Sequence, residues 1–196
     1  MHAFLHGVPW VHLFPAVLAI IIGFIFLKLK WIYFKVIFGV LWLFFLPNTA
    51  YMFTDVVRIT LHWSSVSMIA RVGLIIQFIL LELIGLVTYL LAMLPFESMI
   101  NTWNFSRKEQ IIAIVILNFF VGFGMVLGRT GYVNSYAVST QPTKVILAVM
   151  NTVTSLNLLG LAIVFGILCN CIYFLFRSLL SRRMKGIYKT GASFRV

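Results

Sequence analysis

The residues best suited to chemistry lie in two polar segments that each follow a long apolar run. The first segment, Phe45–Arg58, places Asp55, the only aspartate of the chain, three residues before Arg58. Side chains three apart share a helix face, so on a helix this carboxylate and guanidinium would lie together. The second segment, Gly122–Ser135, carries Arg129 near its centre. Because arginine binds a carboxylate or a phosphate through two parallel hydrogen bonds, the segments favour an ion pair or an anion site.

Together the two segments supply a candidate outward-facing polar site. Its residues are Asn48, Tyr51, Thr54, Asp55, Arg58, Arg129, Asn134 and Ser135. We expect the segments to meet, with Asp55 pairing Arg129 or Arg58. Such pairs could simply tie helix ends together, or the excess of arginine could hold a phosphate or an anionic headgroup. A third interpretation is catalytic, with His62 as a base oriented by Asp55, although seven residues on a helix separate the two by two turns.

The composition excludes a soluble domain and a disordered chain. Of 196 residues, 62% are hydrophobic and 10% are charged, with fifteen Lys and Arg against four Asp and Glu. Soluble domains have about 25% charged residues, and disordered chains are poor in apolar residues. The chain is therefore predicted to be an integral membrane protein, and we treat residues 1–196 as one transmembrane domain.

Five apolar segments approach the length needed to cross a bilayer, which is about 20 residues. They are about Gly7–Leu27, Trp31–Leu46, Val72–Leu94, Gln110–Leu127 and Asn157–Phe176. The predicted fold class is all-α, a polytopic transmembrane helix bundle with about five spans. No basic residue precedes the first segment and no small-residue cleavage site follows it, so the segment is interpreted as a retained span.

Local signals predict where the helices begin and end. Ser106 and Glu109 form a capping box ahead of the fourth span. Proline lacks a backbone N–H, so we expect the chain to break or kink from Pro47 to residue 50, and the third span to stop at Pro95. The region Val145–Thr154 is expected to lie in the membrane interface or to extend the fifth helix.

The basic residues predict the orientation, because Lys and Arg accumulate on the cytoplasmic side. Eleven of the fifteen fall on one side of a five-span chain. They are Lys28, Lys30, Lys35, Arg107, Lys108, Arg177, Arg182, Arg183, Lys185, Lys189 and Arg195. The other four are Arg58, Arg71, Arg129 and Lys144. We predict an outside N-terminus and a cytoplasmic C-terminus, with residues 177–196 as a basic tail attracted to anionic lipids rather than to nucleic acid.

Two polar side chains are predicted to lie inside spans. Glu82 is near the middle of the third span, where an ionised carboxylate is costly and usually faces the protein interior. Asn118 is its nearest candidate partner by depth, and one structural hydrogen bond to a protonated Glu82 would explain the position as well as a function would. Gly124 and Gly128 have the small-xxx-small spacing of close helix contacts, which offers an interface to another helix or to a second copy.

Other reactive residues give weak signals. His2 and His6 would share a helix face, but no cysteine or carboxylate lies near them in sequence, so no metal is expected. Cys169 and Cys171 are two apart on a helix and point to different sides, so no disulfide is expected. The common nucleotide, metal and nucleophile motifs do not occur in the sequence, and we expect no cofactor.

The two polar segments also carry recognisable motifs. Leu41–Asp55 reads LWLFFLPNTAYMFTD, and Gly122–Tyr136 reads GFGMVLGRTGYVNSY. The first resembles the pattern LPNxxYxxTD and the second GFGxxLGRxxRxNSWD, the motifs of an uncharacterised bacterial membrane family, domain of unknown function 1361. The matching positions are Pro47, Asn48, Tyr51, Thr54, Asp55, Gly128, Arg129, Asn134 and Ser135. The resemblance covers about residues 31–176 and implies a bacterial multispanning protein, but no particular reaction.

Three positions depart from the family pattern. Tyr132 replaces its second basic residue, Ala137 replaces the acid of its Trp-Asp pair, and Arg58-Ile59 replaces its His-Leu pair. If the family's site needs that second acid, this chain has lost or changed the activity.

The sequence favours a non-enzymatic component of the bacterial plasma membrane, namely a subunit, an accessory factor or a small transporter. Five spans are few for a solitary transporter, so a homo-oligomer or a membrane-protein partner would be needed. The alternative is a membrane-embedded enzyme that acts on a lipid or lipid-linked substrate at the outer leaflet, using Asp55, Arg129 and His62. The absence of the acid at Ala137 counts against that alternative.

Overall fold

The fold is entirely helical in the part of the chain that the structure describes. A computed structural model describes residues 9–51, 67–103, 105–130 and 140–191, with six helices and no strand within these ranges. The helices are α1 (Pro9–Lys28), α2 (Ile32–Ala50), α3 (Met68–Thr102), α4 (Arg107–Thr130), α5 (Pro142–Thr154) and α6 (Leu156–Gly191). The predicted all-α helix bundle is confirmed.

Four helices are long and apolar enough to cross a membrane. The qualifying stretches are Ile32–Ala50, Arg71–Thr102, Arg107–Arg129 and Leu156–Arg177. α1 contributes a shorter apolar stretch, Leu13–Lys28, so the five predicted spans correspond to α1, α2, α3, α4 and α6. Large apolar side chains such as Phe14, Ile79 and Phe120 are more than half exposed, which suits a bundle surrounded by lipid. The chain is therefore a helical membrane protein.

Two helix pairs build the bundle, and α3 joins them. α1 packs closely against α2, α4 packs closely against α6, and α3 contacts both pairs. α1 approaches its neighbours through Ala16 and Ala19, which are fully buried. The core includes Leu46, Tyr89 and Val121 from three different helices. The interior thus contains both small and large side chains, and the small ones allow close packing between the helices.

The helices do not stop at their internal prolines. α2 continues through Pro47 to Ala50, and α3 continues through Pro95 to Thr102. The predicted end of the third span at Pro95 is therefore wrong. α2 has no break at Pro47 itself and ends at Ala50, within the four residues where a break or kink was predicted, so the kink stays a prediction.

Contacts from other helices explain why α3 continues. Trp42 donates its indole N–H to the carbonyl oxygen of Ala92 over 3.0 Å, in the turn before Pro95. The same indole ring stacks on Phe96, with 6.1 Å between the ring centroids. A Cβ at Gly23 would lie 2.8 Å from Pro95 Cγ, so α1 leaves room for the proline ring only because it has a glycine there. A proline is tolerated in a membrane helix when neighbouring groups engage the backbone around it.

Two local predictions are confirmed. The backbone N–H of Ser106 donates to Glu109 Oε2 over 2.7 Å, and the backbone N–H of Glu109 donates to Ser106 Oγ over 3.4 Å, which is the capping box at the start of α4. Cys169 is buried, Cys171 is exposed, and neither forms a disulfide.

The region before the fifth span forms a separate helix, α5. Ser155 has an extended conformation (φ −89°, ψ 112°) and separates α5 from α6, so residues 145–154 do not extend α6. Ile146, Leu147, Met150 and Val153 are more than half exposed along α5. Its position in the membrane interface stays a prediction. At the other end, α6 continues past Arg177 to Gly191, so the first part of the predicted basic tail is helical.

Candidate functional site

The two motif-bearing segments meet where α2 and α4 end. We call this contact the α2–α4 joint and define it by Pro47, Tyr51, Gly124 and Gly128. A Cβ at Gly124 would collide with the Pro47 ring, lying 3.0 Å from Pro47 Cβ and closer still to Cγ. A Cβ at Gly128 would overlap the Tyr51 hydroxyl and its ring carbon Cζ. Both glycines thus allow α4 to approach α2 closely, and their small-xxx-small spacing predicted such a close helix contact.

The two glycines serve a contact within one chain, because Pro47 and Tyr51 pack against them. Their use as an interface for a second copy stays a prediction.

Tyr51 connects the joint to Arg129. The Tyr51 hydroxyl donates to the carbonyl oxygen of Gly124 over 3.0 Å. Burial raises the pKa of Tyr51 above its ordinary value, while the positive charge of Arg129 acts in the opposite direction. Burial has the larger effect, so the hydroxyl keeps its proton and remains a donor. Arg129 directly follows Gly128 on α4, so the residue lies next to the joint.

Only some of the remaining candidate residues lie within the ranges that the structure describes. Asn48 is buried, and its amide donates to the carbonyl oxygen of Phe45 over 3.1 Å. The neighbouring Thr49 hydroxyl donates to the Leu46 carbonyl oxygen over 2.7 Å. The candidates that lie outside the described residues are Thr54, Asp55, Arg58, His62, Asn134 and Ser135. The pairing of Asp55 with Arg129 or Arg58 therefore stays a prediction.

A second polar cluster lies in the middle of the bundle, where α3, α4 and α6 meet. Tyr89 donates its hydroxyl to Asn118 Oδ1 over 2.6 Å. Asn118 donates to Asn170 Oδ1 over 3.0 Å, and Asn170 donates to the Gly166 carbonyl oxygen over 2.9 Å. We call this chain the mid-bundle network. Each hydrogen bond satisfies a polar group that would be costly to leave unpaired in the bilayer.

The network corrects the expected partner of Asn118. The described hydrogen bonds of the Asn118 side chain go to Tyr89 and Asn170 rather than to Glu82. Glu82 lies on α3, half-buried, two turns before Tyr89. Depth in the membrane indicated that α3 and α4 interact here, but it did not indicate which residue of α3 faces α4.

Replacing Asn118 by leucine should destabilise the bundle by about 1–2 kcal/mol, because Tyr89 and Asn170 each lose a partner in lipid. The measurement is the melting temperature of the purified protein in detergent. Asn157 provides the control, since it is an exposed asparagine near the start of α6, and Asn157→Leu should leave the melting temperature almost unchanged. Equal effects of the two variants would contradict a structural role for the network.

Sequence reasoning missed a third polar cluster, which joins α3 to α6. The Tyr173 hydroxyl donates to Glu97 Oε1 in a short contact. Arg177 Nε lies 3.7 Å from Glu97 Oε2, and the Arg177 guanidinium lies 5.7 Å from the centroid of the Tyr173 ring. Because the third span was expected to stop at Pro95, Glu97 was not placed on it, and Arg177 was counted only as a topology signal. The spacing of Tyr173 and Arg177, four apart on one helix face, was the available clue.

Possible metal ligands do not cluster in the part of the chain that the structure describes. No group of three His, Cys, Asp or Glu side chains is close enough there to hold a metal ion. Of the histidines considered in the sequence, His2 and His6 lie outside the described residues.

The fold and the α2–α4 joint together define a helical membrane protein in which the two motif-bearing segments pack against each other. Residues 10–172 match the family described as protein of unknown function (DUF1361). The chain therefore belongs to this family, as the two motifs indicated. No curated protein and no solved structure matches the chain.

Proposed function

We propose that the chain is a non-enzymatic, multi-pass component of the bacterial plasma membrane that binds an anionic group at an outward-facing polar site. The component would be a subunit, an accessory factor or a small transporter. The observation that supports the proposal most is the α2–α4 joint, where Tyr51 is wedged against Gly124 and Gly128 with Arg129 beside it. A rigid support of this kind holds a guanidinium in place for a ligand at little entropic cost.

The use of the motif residues supports binding rather than catalysis. Pro47, Tyr51, Gly124 and Gly128 are occupied in packing α2 against α4. These contacts place the end of α4, which carries Arg129, against α2, but they move no proton and supply no nucleophile. An arginine at such a helix end suits recognition of phosphate, since its planar fork binds two oxygens at once.

Other charges support an anionic ligand over a cationic one. Arg71 lies in the first turn of α3 and Lys144 in the first turn of α5. Both helix starts face the same end as the joint in a bundle whose successive spans alternate in direction. Asp55, in the preceding segment, is the only acid of the chain predicted at that end.

The proposal includes the orientation and the partners that the sequence predicts. The N-terminus lies outside, and the C-terminal basic tail lies in the cytoplasm, where it contacts anionic lipids of the bilayer. A homo-oligomer or a membrane-protein partner completes the functional unit. We do not propose nucleic acid as a partner.

Replacing Arg129 by lysine should weaken the response to phosphate by about tenfold, because lysine keeps the charge but loses the second hydrogen bond. The measurement is the rise in melting temperature of the purified full chain as inorganic phosphate replaces chloride at constant ionic strength. Arg107→Lys is the control, since Arg107 starts α4 at the opposite end, and its phosphate response should equal that of the unmodified protein. A phosphate response that is absent, or unchanged in Arg129→Lys, would overturn the proposed anion site.

The lipid composition of cell extracts tests the enzymatic alternative. Cells that express the chain should have the same lipid composition as cells that express Asp55→Asn at the same protein level. A difference in lipid composition between the two would contradict the binding proposal and support the enzymatic alternative.

A further inference from the structure

Three lysines surround the short turn between α1 and α2. Lys28 ends α1, Lys30 lies in the turn, and Lys35 lies in the first turn of α2. Lys28 and Lys30 are exposed, whereas Lys35 is half-buried. Lys35 Nζ lies 5.7 Å from the centroid of the Phe26 ring, within the range of a cation–π contact. The third charge is therefore held against the bundle, beside the other two.

Aromatic side chains indicate the depth of this turn in the membrane. Trp31 is 73% exposed and Tyr33 is 78% exposed, although each borders a span-length helix. Exposed tryptophan and tyrosine at the ends of membrane helices lie at the level of the lipid headgroups. The lysine ammonium groups next to them consequently lie at the level of the lipid phosphates.

The positive charge of the turn is not neutralised by acids among the described residues. The first 54 residues of the chain contain no Asp or Glu. Two described acids belong to this end of the bundle, and both are engaged elsewhere: Glu97 with Tyr173 and Arg177, and Glu109 with Ser106. The three lysines are thus available to attract an external anion.

We propose that the α1–α2 turn, residues 28–35, is a binding surface for anionic phospholipids of the surrounding bilayer. The lysines bind the phosphodiester of the headgroup, and Trp31 and Tyr33 pack against the glycerol and the first part of the acyl chains. Phosphatidylglycerol is preferred over phosphatidylcholine. Its headgroup has a net negative charge, whereas the choline group would place a positive charge next to the three lysines. This surface is separate from the α2–α4 joint and does not depend on the function proposed there.

Native mass spectrometry of the purified full chain tests the proposal. The protein is kept in detergent with equal amounts of dioleoylphosphatidylglycerol and dioleoylphosphatidylcholine, so that membrane orientation does not influence the result. Each basic residue near an anionic surface strengthens attraction roughly fivefold. The variant Lys28→Gln/Lys30→Gln should therefore retain phosphatidylglycerol roughly 25-fold less well, with phosphatidylcholine unchanged.

Three further variants make the result specific. Lys28→Arg/Lys30→Arg keeps the charge and should keep the preference for phosphatidylglycerol. Lys30→Gln alone, outside both helices, should lose roughly fivefold and leaves helix formation intact. Lys108→Gln, its control, removes one charge from the first turn of α4 and should lower retention much less. Unchanged retention in the glutamine double variant, or an equal loss in Lys108→Gln and Lys30→Gln, would overturn the proposal.

Discussion

Replacing Gly122 by alanine should destabilise the bundle by about 2 kcal/mol. Gly122 lies where α4 packs against α6, one of the two closely packed helix pairs of the bundle. A Cβ at this position would lie 2.7 Å from the Ala162 carbonyl oxygen and 2.9 Å from Gly166 Cα, and closer still to the Gly166 backbone nitrogen. All three obstacles are backbone atoms, so no side-chain rotation can make room. α4 and α6 must move apart, and contacts along both helices weaken as a result.

The matched control for Gly122 is Gly160, on α6. A Cβ at Gly160 would meet nothing within 4 Å, so Gly160→Ala should be neutral or should stabilise the protein by up to about 1 kcal/mol through helix propensity. Melting temperatures of both variants in the same detergent provide the comparison. Equal melting temperatures would show that the distance between α4 and α6 is not set by Gly122.

Much of the fold could be predicted because the helical signals are local. Long apolar runs identified α1, α2, α3, α4 and α6, and the Ser106–Glu109 capping box identified the start of α4. The error at Pro95 has a long-range cause. The indole of Trp42 and the missing side chain of Gly23, which accommodate Pro95, lie more than fifty residues away in sequence. A local rule about proline cannot include contacts of that kind.

The candidate site could be predicted only in part, for a related reason. Topology and glycine spacing were enough to bring the two motifs together, and the contacts of Tyr51 with Gly124 and Gly128 agree with that expectation. Depth in the bilayer was not enough to find the partners of Asn118, because depth does not determine how a helix is rotated. Tyr89, rather than Glu82, faces Asn118, and only the packing of α3 determines that choice.

A second large effect is expected at Gly128. Alanine there would overlap Tyr51 Cζ and its hydroxyl, and would lie 3.3 Å from Tyr51 Cε1. The ring must leave its position, and the hydrogen bond from Tyr51 to the Gly124 carbonyl oxygen is lost with it. We expect Gly128→Ala to cost about 2 kcal/mol of stability, from overpacking and the lost hydrogen bond together.

The obstacle at Gly128 differs from the one at Gly122, because it is a side chain that can be removed. Tyr51→Ala alone also destabilises the protein, since it empties the space against α4 and removes a donor. In the double variant Gly128→Ala/Tyr51→Ala the new methyl group no longer collides with the ring. The double variant should therefore be more stable than the sum of the single effects predicts, by about 1–2 kcal/mol.

A double-mutant cycle measures this coupling, with Gly160→Ala/Tyr51→Ala as the matched pair whose effects should add. Additive effects for Gly128 and Tyr51 as well would show that the two motifs do not lock together. The cycle also connects stability to binding, because Tyr51 supports the region next to Arg129. Gly128→Ala should reduce the phosphate response of the folded protein, whereas Gly122→Ala, which separates α4 from α6 rather than from α2, should reduce it less. A larger loss of the phosphate response in Gly122→Ala than in Gly128→Ala would mean that the joint does not position Arg129.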